Sequence, residues 1–243
     1  MRKRTSEYAM GILMQAIMFC SALLCQACSS GKQEPIIPEE TVKINKVLIL
    51  GNSITFHGSK PDIGWTGNYG MAASSESHDY VHLLEGKIKT HNASAQFSIG
   101  NIAATFERVF WQADTSHFTT YRDFKPDLII LRIGENITDS LAVEKSLDKH
   151  VESLISYLKQ NSSPRVCLVG SFWPNANINR IFEELCVKNK WDYVSLDGLY
   201  QNRQVNTAIN NFANAGVGMH PSDQGMKEIS ERIWAKIQYL FLI

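Results

Sequence analysis

A chain of 243 residues sits at the upper end of what one α/β domain uses, so a single folded domain is expected. Hydrophobic residues at 44% and charged residues at 20% supply enough apolar side chains for a sizeable core. Lys+Arg and Asp+Glu each number 24, so no global charge draws the chain toward nucleic acid, and that class of function is set aside.

Arg2, Lys3 and Arg4 open the chain, and residues 10–24 form an apolar stretch broken by Gln15 and Ser21. Such a stretch reads as a signal-peptide core, too short and too interrupted for a membrane span. It ends in Leu24-Cys25-Gln26-Ala27-Cys28, where a small residue directly precedes a cysteine. This ending resembles the lipobox of bacterial lipoproteins. The resemblance implies loss of residues 1–27, lipidation of Cys28, and an exported protein anchored to the bacterial outer membrane on its periplasmic or surface face. Cys25 occupies the place where a lipobox usually has Leu and is the alternative acceptor; an ordinary cleaved signal peptide is the other reading. Removing residues 1–27 leaves 21 basic and 23 acidic residues. Residues 28–44 are polar, acidic and Pro-containing and read as a flexible tether, with the folded domain over 45–243. Cys167 in an apolar run and Cys186 on an apolar helix face are expected as buried thiols, not a disulfide.

Apolar runs and helical patterns then alternate. Residues 46–50 form a short β-branched run stopped by Gly51, the pattern of a buried strand. A Gly-rich aromatic loop (57–69) precedes a helix expected from about Met71, with Tyr80, Leu84 and Ile88 on one stripe. A weaker strand over 97–99 is followed by an expected helix over 103–113. The clearest strand is 127–133, and the helix after it carries Leu147, Val151, Leu154, Ile155 and Leu158, with Asp139 or Ser140 placed to cap it. A strand over 166–169, a helix with Ile178, Ile181, Phe182 and Leu185, a strand over 193–196 and a final helix from about Ser222 complete the chain. This alternation predicts a three-layer α/β/α sandwich around a parallel sheet of about five strands, with residues 46–50 central. Function then collects at the carboxyl ends of the strands.

Three polar junctions fall at those ends: Gly51-Asn52-Ser53, Gly134-Glu135-Asn136, and the loop before His220. A Ser presented where a buried strand stops suits nucleophilic attack if an imidazole takes its proton and N–H groups hold an oxyanion. Alone the motif is weak, since a Ser or Asn capping a turn reads identically. Together with Ser98-Ile99-Gly100-Asn101-Ile102-Ala103-Ala104-Thr105 and His220-Pro221-Ser222, in this order, it resembles the SGNH (GDSL-like) hydrolase family over residues 46–237. Several block details depart from the family. Asn52 replaces the usual Asp, Ile137 replaces an Asp after Asn136, and Val217 occupies the place of the aspartate three residues before the histidine.

The resemblance implies a flavodoxin-like SGNH fold and a serine esterase without cofactor or metal. Ser53 would be the nucleophile and His220 the base, with the Ser53 N–H, the Gly100 N–H and the Asn136 carboxamide as the oxyanion hole. Ala103 rivals Gly100 for that role, standing at the second glycine position of its block. The loop over 63–74 also looks like a bacterial subgroup acting on acetylated carbohydrates, so the expected substrate is a small acyl ester, acetyl above all, on a sugar. Without an aspartate at 217, His220 is expected to be oriented by a backbone carbonyl; a carboxylate from elsewhere, or loss of activity, are the alternatives. Asp223 is near in sequence but is expected to point away. Two further functions stay open: a lipase- or thioesterase-type enzyme for longer acyl chains, and a surface glycan-binding lipoprotein that has lost catalysis.

Other features have plainer readings. His78 and His82 are spaced like zinc ligands on a helix, but Asp79 replaces the Glu such sites use and no third ligand is evident. His57 reads as a residue of the site's mouth or of the surface. Trp65, Tyr69, Trp111 and Trp173 are either sugar-stacking faces or core plugs, with Trp173 nearest the rim.

Overall fold

The computed structural model describes residues 43–242. The leader 1–27, Cys28 and residues 28–42 of the tether lie outside the described residues. Five strands, β1 (Lys46–Gly51), β2 (Gln96–Asn101), β3 (Leu128–Arg132), β4 (Arg165–Val169) and β5 (Asp192–Val194), form an all-parallel sheet ordered β2-β1-β3-β4-β5. The expected five-stranded sandwich is therefore present, but β3 holds the centre and β1 lies beside it. The order reverses between β1 and β3, so the crevice for a ligand opens beyond their carboxyl ends.

Period-two alternation assigns each strand residue to a layer. Leu48, Leu50, Ile129, Leu131 and Leu168 face one core, shared with Val151, Leu154 and Leu158 of the helix Leu147–Lys159 and Ile178, Phe182 and Leu185 of the helix Ala176–Asn189. Val47, Ile49, Leu128, Ile130, Cys167 and Val169 face the other. There they meet Val81, Leu84 and Ile88 of the helix Tyr80–His91 and Met226, Ile229 and Ile233 of the helix Asp223–Ile237. Cys167 and Cys186 are buried free thiols. Among the described residues no helix is long and apolar enough to cross a membrane.

Three expected helices differ in extent. The helix expected from Met71 begins at Tyr80, because Asp79 caps it by accepting from the His82 N–H while its other oxygen accepts from the Gly70 N–H at 2.9 Å. The helix over 103–113 is instead a π-helical turn (Ala103–Glu107) followed by a 3₁₀ turn (Phe110–Gln112). The capping role expected of Asp139 or Ser140 is absent. Asp139 opens a separate short helix (Asp139–Glu144) and accepts from Asn177, and the long helix starts after Ser146, whose φ of 53° breaks the chain direction.

Candidate active site

β1 ends in a turn too tight for any side chain at Gly51. A Cβ there would collide with the Thr55 side chain and lie 2.7 Å from the Arg132 carbonyl. Asn52 closes the turn. Its carbonyl accepts from the Thr55 and Phe56 N–H groups, and its side-chain oxygen from the Ile54 N–H. Ser53 is thereby lifted onto the rim, half-buried, and its own N–H has no partner among the described residues. Across the rim, the segment before the helix Asp223–Ile237 presents His220, whose Nε2 lies 2.8 Å from Ser53 Oγ.

The other ring nitrogen settles what orients the imidazole. His220 Nδ1 lies 2.8 Å from the Gly216 carbonyl oxygen, a group that only accepts, so Nδ1 carries the proton and Nε2 is left as the acceptor for the Ser53 hydroxyl. A backbone carbonyl thus orients the imidazole, as expected with valine at position 217. Trp173 packs edge-on against the imidazole, with ring centroids 5.4 Å apart, and donates its Nε1–H to the Met219 carbonyl at 3.1 Å. Asp223 is turned away, accepting from the Ser74 N–H at 2.7 Å and the Ser74 hydroxyl at 2.6 Å.

Burial holds the His220 pKa below the ordinary histidine value of about 6.5; the Gly216 hydrogen bond and the Glu135 charge oppose this, and Arg132 and His57 add to it. The acid limb of any His220-dependent rate is therefore expected below pH 6.5, which a kcat/KM profile from pH 4 to 9 would reveal; a limb above pH 7 contradicts the assignment. The stability sign follows. With the folded value depressed, the unfolded chain binds the proton first on acidification. His220 thus contributes stability that is present above about pH 6.5 and lost as pH falls through the folded value.

Val217 is 1% exposed and packs with Trp65, Met71, Ala72 and Ala208. Because Nδ1 is already satisfied by Gly216, an aspartate at 217 would place a carboxylate in that apolar cluster. Val217→Asp is expected to cost about 2–3 kcal/mol in denaturant unfolding without raising ester turnover. A variant both more active and equally stable would show that the carboxylate reaches the imidazole.

Beneath Ser53 lies a buried polar network. Asn52 Nδ2 donates to Glu107 Oε1 at 3.1 Å and Glu135 Oε2 at 2.6 Å, while its Oδ1 accepts from Arg132 Nη1 at 3.0 Å. Arg132 also pairs with Glu135, whose Oε1 in turn accepts from the Phe172 N–H at 2.7 Å. An amide at 52 suits this setting: its NH₂ donates to two carboxylates that would repel an aspartate. Glu107 reaches inward from the π-helical turn and accepts from the Gly134 N–H at 2.5 Å and from Asn136 Nδ2 at 2.7 Å. Gly134 holds a φ of 136°, open to glycine alone, and turns the chain so that Asn136 faces the rim. Arg108, next in the same turn, points outward and donates from Nη2 to Asn136 Oδ1 at 2.9 Å. With its oxygen and one N–H so fixed, the Asn136 carboxamide keeps its second N–H for the cleft.

The cleft encloses about 580 Å³ and is lined by Ser53, His57, Asn101, Ala103, Arg108, Asn136, Trp173 and His220 among others. Ser53, Asn136 and His220 are thus brought together. Gly100 is not: it lies within β2, paired with Leu50, with the Tyr121 side chain where a Cβ would be, and it does not line the cleft. Ala103 does line it, but its N–H donates to Asn101 Oδ1 at 2.9 Å. Trp65 is a core plug, 2% exposed, edge-on to Tyr69 and bonded to the His57 carbonyl; neither it nor Tyr69 lines the cleft. Trp111 packs against the first core. His57 lies in the cleft with Nδ1 2.6 Å from the Gly58 carbonyl, not on Ser53. His78 stands in a 3₁₀ turn before the helix that carries His82, and His82 bonds Asp79 at 2.8 Å and Glu76 at 3.2 Å. Among the described residues no cluster of His, Cys, Asp or Glu is arranged to hold a metal ion.

Sequence reasoning missed Glu107, Arg108, Arg132 and Glu135. Arg132 ends an otherwise apolar strand, where a buried cation needs an anion, and Glu135 is the first acid after it in the chain. Glu107 and Arg108 carry no such signal.

No family model and no curated protein matches the sequence. Solved structures do match. A two-domain esterase active on acetylated mannans is 17% identical, with a TM-score of 0.56 over 83% of this chain and 52% of its own, so this chain spans about half its length. An acetylxylan esterase from Geobacillus stearothermophilus is 17% identical, with a TM-score of 0.52 over 80% of this chain and 96% of its own. A GDSL-like protein from Bacteroides uniformis is 17% identical, with a TM-score of 0.50 over 79% and 94%. The five-stranded parallel sheet with flanking helices is therefore the SGNH, or GDSL-like, hydrolase fold.

Proposed function

We propose that the chain is a serine esterase of the SGNH type that removes acetyl groups from carbohydrates. The observation that carries this reading is the Ser53–His220 contact, with the imidazole tautomer fixed by the Gly216 carbonyl. Ser53 Oγ attacks the ester carbonyl as its proton passes to His220 Nε2. The tetrahedral oxyanion is held by the Ser53 N–H and the free Asn136 N–H, and its collapse expels the sugar hydroxyl, which takes the proton from His220. Water, deprotonated by His220, then attacks the acyl-serine and releases acetate and Ser53. The acetyl-sugar substrate rests on the similarity to esterases active on acetylated mannans and acetylxylan, and on a cleft whose rim carries Asn101, Asn136 and Asn214. Export and anchoring through Cys28 are part of the same proposal, motivated by the leader and the tether.

The test is hydrolysis of p-nitrophenyl acetate, butyrate and octanoate by wild type and Ser53→Ala. Turnover is expected to be highest on acetate and to need Ser53. A maximum on octanoate would favour the longer-chain reading, and no Ser53-dependent turnover on any ester or acetylated glycan would favour the glycan-binding one.

A further inference from the structure

The cleft carries one formal charge of fixed sign. Its lining includes no aspartate or glutamate; Glu107 and Glu135, each next in the chain to a lining residue, are turned inward onto Asn52, Gly134, Asn136 and Arg132, and Asp62, beside the lining Ile63, is exposed and faces Lys60 Nζ at 4.0 Å. Arg108 lines the cleft, is exposed, and forms no ion pair among the described residues. Of its N–H donors one is spent on Asn136 Oδ1, at 2.9 Å. A neutral donor would hold that oxygen equally well. A guanidinium leaves a planar fork of N–H groups and a full positive charge in the cleft that also holds Ser53, a donor set that suits a carboxylate.

We propose that Arg108 makes this cleft selective for acyl esters on acidic sugars, binding the carboxylate of a hexuronic acid while Ser53 attacks an acetyl group on the same or the adjoining residue. The proposal rests on the esterase reading and sharpens its substrate class. The other groups lining the cleft leave the positive end undiminished, since none of them is an acid. Exposure makes the interaction sensitive to salt, so selectivity is expected to weaken between 20 mM and 500 mM NaCl.

The experiment compares kcat/KM on the 2-O- and 3-O-acetyl esters of methyl glucuronoside with the matching esters of methyl glucoside, for wild type, Arg108→Gln and Arg108→Glu. A charge pair at an exposed guanidinium predicts that wild type favours the acidic ester by about two- to fivefold at low salt. The ratio is expected to fall to about one in Arg108→Gln and below one in Arg108→Glu. If Arg108 serves only to orient Asn136, both substrates lose rate together and the ratio survives, which overturns the proposal. A wild type that hydrolyses the neutral sugar esters with no preference overturns it too, while leaving the esterase reading intact. Titrating Ser53→Ala with methyl glucuronoside and methyl glucoside reads the same selectivity without chemistry. Preferential glucuronoside binding by a protein that hydrolyses no ester sinks the esterase assignment but keeps the carboxylate site.

Discussion

Ser53→Ala and His220→Ala are each expected to lower kcat on p-nitrophenyl acetate by about 10³-fold or more, and the double variant by no more than the worse single one. The magnitude comes from residues acting as one unit: without the hydroxyl there is no acyl-enzyme, and without the imidazole the hydroxyl is not activated at neutral pH. It should nonetheless fall short of the largest losses known for serine hydrolases. The wild type itself lacks a carboxylate on Nδ1, and an amide dipole stabilises an imidazolium less than a full charge does. Glu135 supplies part of what is missing by raising the His220 pKa from a distance, and Arg132 offsets part of that gain. Burst and steady-state turnover at matched folding would decide the matter. Full additivity in the double variant would mean that the 2.8 Å contact does not operate as a pair.

The fold was legible because short apolar runs bounded by Gly or polar residues alternate with helical patterns, an order that a parallel sheet between helices buries; β2, with Gln96, Ser98 and Asn101, was the weakest of them. Ser53 and Asn136 were legible because each follows the end of a buried strand, and His220 because it completes, just before the last helix, the block order that resembles the SGNH hydrolases. Gly100 was not, because spacing within a block does not say which of Gly100, Ala103 or Ala104 reaches the cleft. The register of β2 on β1 decides it, keeping Gly100 inside the ladder. The carbonyl of Gly216 left no trace in the sequence, since every residue has one. Its place follows from the turn formed by Asn214 to Gly218, where the Asn214 side chain caps the Val217 N–H and turns the Gly216 carbonyl toward His220. Glu107 was hidden by the π-helical turn: helical spacing over 103–113 gives no reason for a carboxylate to point under Ser53.

Glu107 is where a second large effect is expected. Its carboxylate is fully buried and accepts from Asn52, Gly134 and Asn136, so it ties the turn bearing Ser53 to the segment bearing Asn136. In Glu107→Ala, Asn52 keeps Glu135 as a partner, but the Gly134 and Asn136 donors lose theirs and a cavity opens beneath the rim. The combined cost is about 2–4 kcal/mol. Asn136, freed on one side, would no longer hold its second N–H toward the cleft, and loss of one oxyanion donor lowers kcat by about 10²–10³-fold. The pH dependence has a definite sign. Burial, and then the neighbouring Glu135 charge, raise the Glu107 pKa above the ordinary carboxylate value, against the lowering by its hydrogen bonds. A raised folded value means that the stability Glu107 contributes is present at low pH and is lost as pH rises through that value. Denaturant unfolding of wild type and Glu107→Ala should therefore differ more at pH 4.5 than at pH 8. Glu107→Gln, which keeps the volume but turns an NH₂ toward one of the donors, should fall between the two in both stability and kcat. Equal stability and turnover in wild type and Glu107→Ala would show that Asn136 is held by Arg108 alone.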